Sequence, residues 1–119
     1  MSDLQNSTPF FDGAVTHTAT LMKGNNRDLV YLQLVNPNTT DVFVQLFDAA
    51  ATSGVTVGTT PPTVAVFVPG GSGSSNRGGY DVTFPGGLHF RTGIVYCATT
   101  TATGSTDPSS HIIMNAAYV

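Results

Sequence analysis

The chain has 119 residues, a length that holds one domain with a real core and leaves no room for a second. Charged residues make up 9% of it, far below the roughly 25% of an ordinary soluble domain. Net charge is −3, and the four basic residues (Lys23, Arg27, Arg77, Arg91) are scattered, which excludes the clustered basic face that nucleic-acid binding needs.

All seven acidic residues are Asp and there is no Glu, so the usual vocabulary of surface helices is missing. No stretch carries a sustained i, i+3, i+4, i+7 stripe, and the pattern predicts an all-β fold. Thr, Ser, Gly, Asn and Pro fill the place of charge. A hydroxyl- and amide-rich surface with little charge tolerates close packing against other chains.

Residues 1–13 read as an extended N-terminal arm ending in Phe10-Phe11-Asp12-Gly13. The paired Phe residues either close over the domain's own core or insert into a neighbouring subunit. Residues 14–119 then form the domain proper. Residues 14–21 alternate as a Thr-rich strand, and 22–27 turn through Gly24-Asn25-Asn26. Residues 28–48 read as a hairpin: two apolar strands joined by Asn36-Pro37-Asn38-Thr39-Thr40. A long loop over 49–62 has room for a short strand at 55–57, and 63–68 is a strand that Pro69 ends. Residues 70–79 (GGSGSSNRGG) read as a flexible loop, without the Gly-Lys-Ser/Thr and following helix of a phosphate cradle. Residues 80–84 and 88–90 are strands separated by a Pro85-Gly86-Gly87 turn, and 91–93 is a corner. Residues 94–100 and 111–118 are the last strands, with a loop between them. About eight short strands separated by turns predict a single antiparallel β-sandwich of jelly-roll-like form. Few Lys or Glu residues are available to blunt its edges, which a neighbouring subunit could cover.

No catalytic set emerges. His17, His89 and His111 fall in different strands without metal-ligand spacing, and any Ser/His/Asp triad chosen from so much Ser is arbitrary. Asp41 and Asp48 lie at opposite ends of one strand, and calcium would need more oxygens close together. Cys97 is alone, which excludes an internal disulfide and a Cys-based zinc site, and its apolar strand predicts a buried, inert thiol. Tyr31, Tyr80, Tyr96 and Tyr118 read as core or rim packing, and without Trp there is no strong sugar-stacking platform. The expectation is no enzyme, no catalytic residue, no cofactor and no metal. Nor is there an apolar run of the roughly 20 residues that span a membrane as a helix. The first residues show neither the basic nor the apolar part of a secretory leader, which predicts assembly in a cytoplasm.

Two stretches carry a resemblance. Val57-Gly58-Thr59-Thr60-Pro61-Pro62, with the strand that follows and Pro69-Gly70-Gly71, resembles a loop and strand of small β-rich virion proteins of tailed bacteriophages. Phe84-Pro85-Gly86-Gly87-Leu88-His89-Phe90-Arg91-Thr92-Gly93-Ile94 is similar to a turn and strand of the same proteins, and Leu46-Phe47-Asp48-Ala49-Ala50 looks like one of their strand ends. The resemblance covers roughly the middle half of the chain and rests on structural rather than chemical motifs. It implies a non-enzymatic capsid cement or decoration protein on the virion surface, a homotrimer whose partner is the major capsid protein. Phe10, Phe11 and Arg77 are the candidate contact residues. The alternatives are a low-copy tail, neck or receptor-binding module, or a carbohydrate-binding β-sandwich.

Overall fold

Period-two alternation of Val, Leu, Ile and Phe builds strands with one face apolar, and two such sheets bury those faces against each other. In the computed structural model, which describes residues 6–72 and 76–119, the strands are β1 (Thr8–Val15), β2 (Thr20–Lys23), β3 (Arg27–Asn36), β4 (Val42–Asp48), β5 (Val64–Val68), β6 (Gly78–Phe90), β7 (Ile94–Thr99) and β8 (Ile112–Tyr118). Their order is β1-β8-β3-β6 in the first sheet and β2-β7-β4-β5 in the second. Every pairing is antiparallel.

The pairings nest: β4 with β5, β3 with β6, β2 with β7 and β1 with β8. The chain is thus one long hairpin rolled up, and the pairs β3–β8 and β4–β7 close the roll. That is jelly-roll connectivity. The core between the sheets takes Leu29, Leu32 and Leu34 from β3, Val42, Val44 and Leu46 from β4, Ile94 and Tyr96 from β7, and Ile112 and Met114 from β8. Each such side chain contributes about 1.5–3 kcal/mol when fully removed from water.

Several expectations are corrected by this topology. Residues 28–48 are not a hairpin, because β3 and β4 lie in different sheets. Their connection arches across the end of the sandwich, and its Asn side chains bond buried backbone there instead of shaping a two-strand turn. Asn36 Nδ2 donates to the carbonyls of Thr40 (3.0 Å), Val68 (3.1 Å) and Pro69 (3.3 Å). Asn36 Oδ1 accepts from the backbone N–H (2.9 Å) and side-chain amide (2.8 Å) of Asn38. Residues 14–21 are not one strand either: β1 runs to Val15, and a corner of residues 16–19 carries the chain to β2 in the other sheet. Residues 55–57 form no strand; a 3-10 turn at Thr52–Gly54 precedes them, and Val55 and Val57 fold onto the outer face of the second sheet beside Phe47, Val95 and Cys97.

Pro85-Gly86-Gly87 does not end a strand. β6 continues through it as a wide bulge: Thr83 pairs with Tyr31 and Leu88 with Leu29, so four residues face Val30 alone. Gly86 and Gly87 provide the positive φ values of 79° and 85° that this excursion needs.

Candidate functional site

His17, Asp28, Asp48, His89 and Asp107 brace the fold. His89 Nδ1 lies 2.5 Å from Asp28 Oδ1, and the two residues are cross-strand partners in the β3–β6 ladder. His17 Nδ1 lies 3.3 Å from Asp107 Oδ1, which also accepts the His17 N–H, tying the β1–β2 corner to the β7–β8 loop. Asp48 accepts from the N–H groups of Arg91 (3.0 Å) and Thr92 (2.8 Å) and from the Thr92 hydroxyl (2.8 Å), closing the β6–β7 corner. Partial burial works against the charged Asp48 carboxylate, but these donors outweigh it and hold its pKa below the usual value. Burial pushes the Cys97 thiol up to about 12, so it is no nucleophile at neutral pH. Among the described residues no group of three or more His, Cys, Asp or Glu is placed to hold a metal ion.

The segment expected as an arm contributes Thr8–Gly13 to β1, paired along β8; residues 1–5 lie outside the described residues. The structure separates its two Phe residues. Phe10 packs on the core and meets the Tyr96 ring edge-on, with centroids 5.7 Å apart. Asp12 adds an anchor: its Oδ2 accepts the Tyr96 hydroxyl at 2.6 Å and its Oδ1 accepts the Ala14 N–H at 2.9 Å. Burial first, and the Asp12 carboxylate second, raise the Tyr96 pKa well above its ordinary value. Phe11, between these anchors, points away from the core and is 66% exposed.

On the side of the sandwich away from β1, the outer strands β5 and β6 each pair on one side only. The two sheets gape there. The opening holds a groove of about 410 Å³ lined chiefly by Val64, Val66, Phe67, Tyr80, Val82 and Phe84. None of the lining residues is charged. Val82 and Phe84 stand on alternate positions of β6 and pack against the core from this side, whereas Phe67 and Tyr80 form an exposed rim. Phe67 is steadied by Phe43 on the neighbouring strand, ring centroids 5.4 Å apart.

Pro69, which precedes the Gly-rich segment, lines the groove. Gly70 N–H donates to Asp41 Oδ1, Gly71 N–H to the Asn38 carbonyl and Ser72 N–H to the Asn76 carbonyl. Gly78 passes so close to the Pro69 carbonyl that a Cβ could not be accommodated. Arg77 is exposed next to it, just before β6. Residues 73–75, in the centre of the run expected as a flexible loop, lie outside the described residues.

The outer faces of the two sheets differ. The second sheet's face is roofed by the chain's own loops, with Phe47, Val95 and Cys97 beneath Val55 and Val57. There Gln45 donates to Thr99 Oγ1 (2.7 Å) and the Gly104 carbonyl (3.0 Å), although its own Oε1 is buried without a partner. The first sheet's face carries the cross-strand row Phe11, Asn115, Gln33, Asp81 and beside it Pro9, Ala117, Tyr31, Thr83. Asn115 Nδ2 donates to Gln33 Oε1 at 3.1 Å within that row. Asp81 is the one charged residue in these two rows.

Of the candidate contact residues, Phe11 and Arg77 are therefore exposed and Phe10 is a half-buried lid. The groove itself was missed from sequence. Its signal was present: the strands of 63–68 and 80–84 hold a single charged residue between them, Asp81, and no Lys, Glu or Arg to guard an edge. Compared with known proteins, the chain matches no family model, no curated protein and no solved structure.

Proposed function

We propose that this protein is a non-enzymatic structural component of a bacteriophage virion, a cement or decoration protein that binds the outer shell and stabilises the capsid lattice. The observation that carries the reading is the open side of the sandwich, where β5 and β6 each pair on one side only and an apolar groove with an uncharged lining lies beside an uncovered sheet face. A domain that works alone blunts such edges with charge or covers them; one that works as a piece of an assembly leaves them for its neighbours. The resemblance of the Val57–Gly71 and Phe84–Ile94 stretches supplies the virion context and the major capsid protein as partner.

On this reading each copy buries apolar and backbone groups across a junction between shell subunits. Binding only the assembled lattice stabilises it by mass action, and repetition over the particle turns modest contacts into large avidity. The test is made on virions of the phage that encodes the chain. Quantitative mass spectrometry should find it on the order of hundreds of copies per particle, as a lattice-wide component requires. Particles assembled without it should lose heat and chelator resistance and regain both when purified protein is added back. Unchanged resistance overturns the reading. A copy number of a few per particle selects the tail, neck or receptor-binding alternative instead.

A further inference from the structure

We infer that Phe11 of one copy seats in the groove between β5 and β6 of the next, so that copies join head to tail in a closed ring. The inference goes beyond binding to a shell: it concerns how copies meet each other and can fail or stand separately.

Phe11 is the most exposed large apolar side chain among the described residues, and it is held out rigidly. Its strand is bonded along β8, Phe10 on one side is packed on the core, and Asp12 on the other is fastened to Tyr96. A side chain displayed from a fixed backbone loses little freedom when it docks. The groove has room for it: a cavity of about 150 Å³ already accepts a benzene ring, and this one is about 410 Å³ with an aromatic rim.

Position decides the occupant. Phe11 is on β1 and the groove is on β6, the two opposite outer strands of the same sheet. A copy therefore cannot fill its own groove, and the surfaces that fit each other are different surfaces, which makes the joint heterologous. Phe11 also faces outward from its sheet rather than along its plane. Seating it in a groove that opens sideways requires successive copies to be turned relative to one another. A heterologous joint closes into a ring where the turn between copies returns to its start and runs on as a helical filament where it does not. The joint here takes the closed form, and a wild type that grows without limit as concentration rises overturns it.

The absence of charge in the groove agrees with an apolar occupant. The lining is uncharged, and Asp12, next to Phe11 in the chain, already has both oxygens bonded within its own chain. Seating Phe11 strips no charge of water within the groove lining itself, and the exposed Arg77 and Asp81 lie at its margin.

The experiment is the native mass of the purified full chain across a concentration series, by light scattering and native mass spectrometry. Two variants accompany it, Phe11→Asp and Tyr80→Asp. Both residues are exposed, and unchanged circular dichroism melts show that the variants fold. The wild type should be a ring, and each variant should run as a single chain with association weakened at least tenfold. Mixing the variants provides the sharper test. Phe11→Asp keeps an intact groove and Tyr80→Asp an intact Phe11, so together they should form one joint, a heterodimer that grows no further. A wild type that stays monomeric overturns the inference, and so does an oligomer that either substitution leaves whole. A mixture that forms no heterodimer overturns it as well. A monomeric wild type would still leave shell binding to the particle experiment.

Discussion

Replacing Asn36 with Ala should cost this domain a large part of its stability. The side chain is fully buried at the end of β3, where the chain arches from one sheet to the other. Its amide serves the carbonyls of Thr40, Val68 and Pro69, and its oxygen serves two donors of Asn38. Asn38 in turn accepts the Ser110 N–H at 2.7 Å and donates to the Ser110 carbonyl at 3.0 Å, so the network joins the β3–β4 arch, the end of β5 and the entry to β8. Each buried partner left unsatisfied costs about 1–3 kcal/mol. Some of these carbonyls are only partly buried and will find water, so about 3–5 kcal/mol is expected out of the roughly 5–15 kcal/mol of a typical domain. At this chain length that is a fall in Tm on the order of 10–20 °C. Urea denaturation followed by circular dichroism and tyrosine fluorescence measures it, with Asn76→Ala, whose amide donates to the exposed Ser72 hydroxyl, as the control. Asn36→Asp should be worse than Ala, because it sets a carboxylate against three carbonyls. A loss below about 1 kcal/mol for Asn36→Ala would refute the argument that the arch depends on this network.

Three other perturbations follow from the same structure. Asp48→Asn should destabilise by about 2 kcal/mol at pH 7, since a neutral amide replaces a carboxylate that receives three hydrogen bonds at a partly exposed corner. Because the folded-state pKa of Asp48 is depressed, its contribution is present above the ordinary value of 3.8 and fades as pH falls through and below it. The gap between wild type and variant should therefore narrow from pH 5 to pH 2.5 in urea melts; a constant gap would contradict this. Gly87→Ala should cost about 1–3 kcal/mol, because φ is 85° and the new Cβ would lie 2.8 Å from Asp28 Cβ. Gly86→Ala, with φ of 79° but open space around it, should cost only about 1 kcal/mol; equal losses would remove the role assigned to the Asp28 contact. Finally, Cys97 in the native protein should resist a disulfide reagent at pH 8 and react only as fast as the chain opens, so labelling that is rapid in the absence of urea would refute its burial.

The all-β class was legible because period-two alternation and missing helix vocabulary both report on the local backbone. What the chain could not reveal locally was which sheet each strand joins. Asn36-Pro37-Asn38 marks a reversal equally well whether the returning strand pairs with the outgoing one or crosses to the opposite layer. The arch is decided by carbonyls 32 and 33 residues away, at Val68 and Pro69. The bulge in β6 was hidden for a related reason: Pro85-Gly86-Gly87 has the composition of a turn, and only Leu29 and Tyr31 on the partner strand show that the strand resumes beyond it. Phe10 and Phe11 were conspicuous together, but their alternation across β1 sends one into the core and the other outward, which requires knowing that the segment is a strand at all.

β6 is the strand that the groove and the uncovered sheet face share. Its inward residues Tyr80, Val82 and Phe84 line the groove, and its outward residues Asp81 and Thr83 end the rows of the uncovered sheet face. The loops of residues 49–63 and 100–111 roof the opposite face, so an approaching surface meets sheet on one side of the molecule and loops on the other. A ring made through Phe11 and the groove would consume the outer face near β1 and the open side near β6. It would leave the middle of that face, with Tyr31 and Gln33 on β3 and Asn115 on β8, between two joints. In that arrangement every copy brings the same amide-rich strip, with its Asn115–Gln33 hydrogen bond, to equivalent positions around the ring. Self-association would then fix the spacing at which these strips meet a repeating surface.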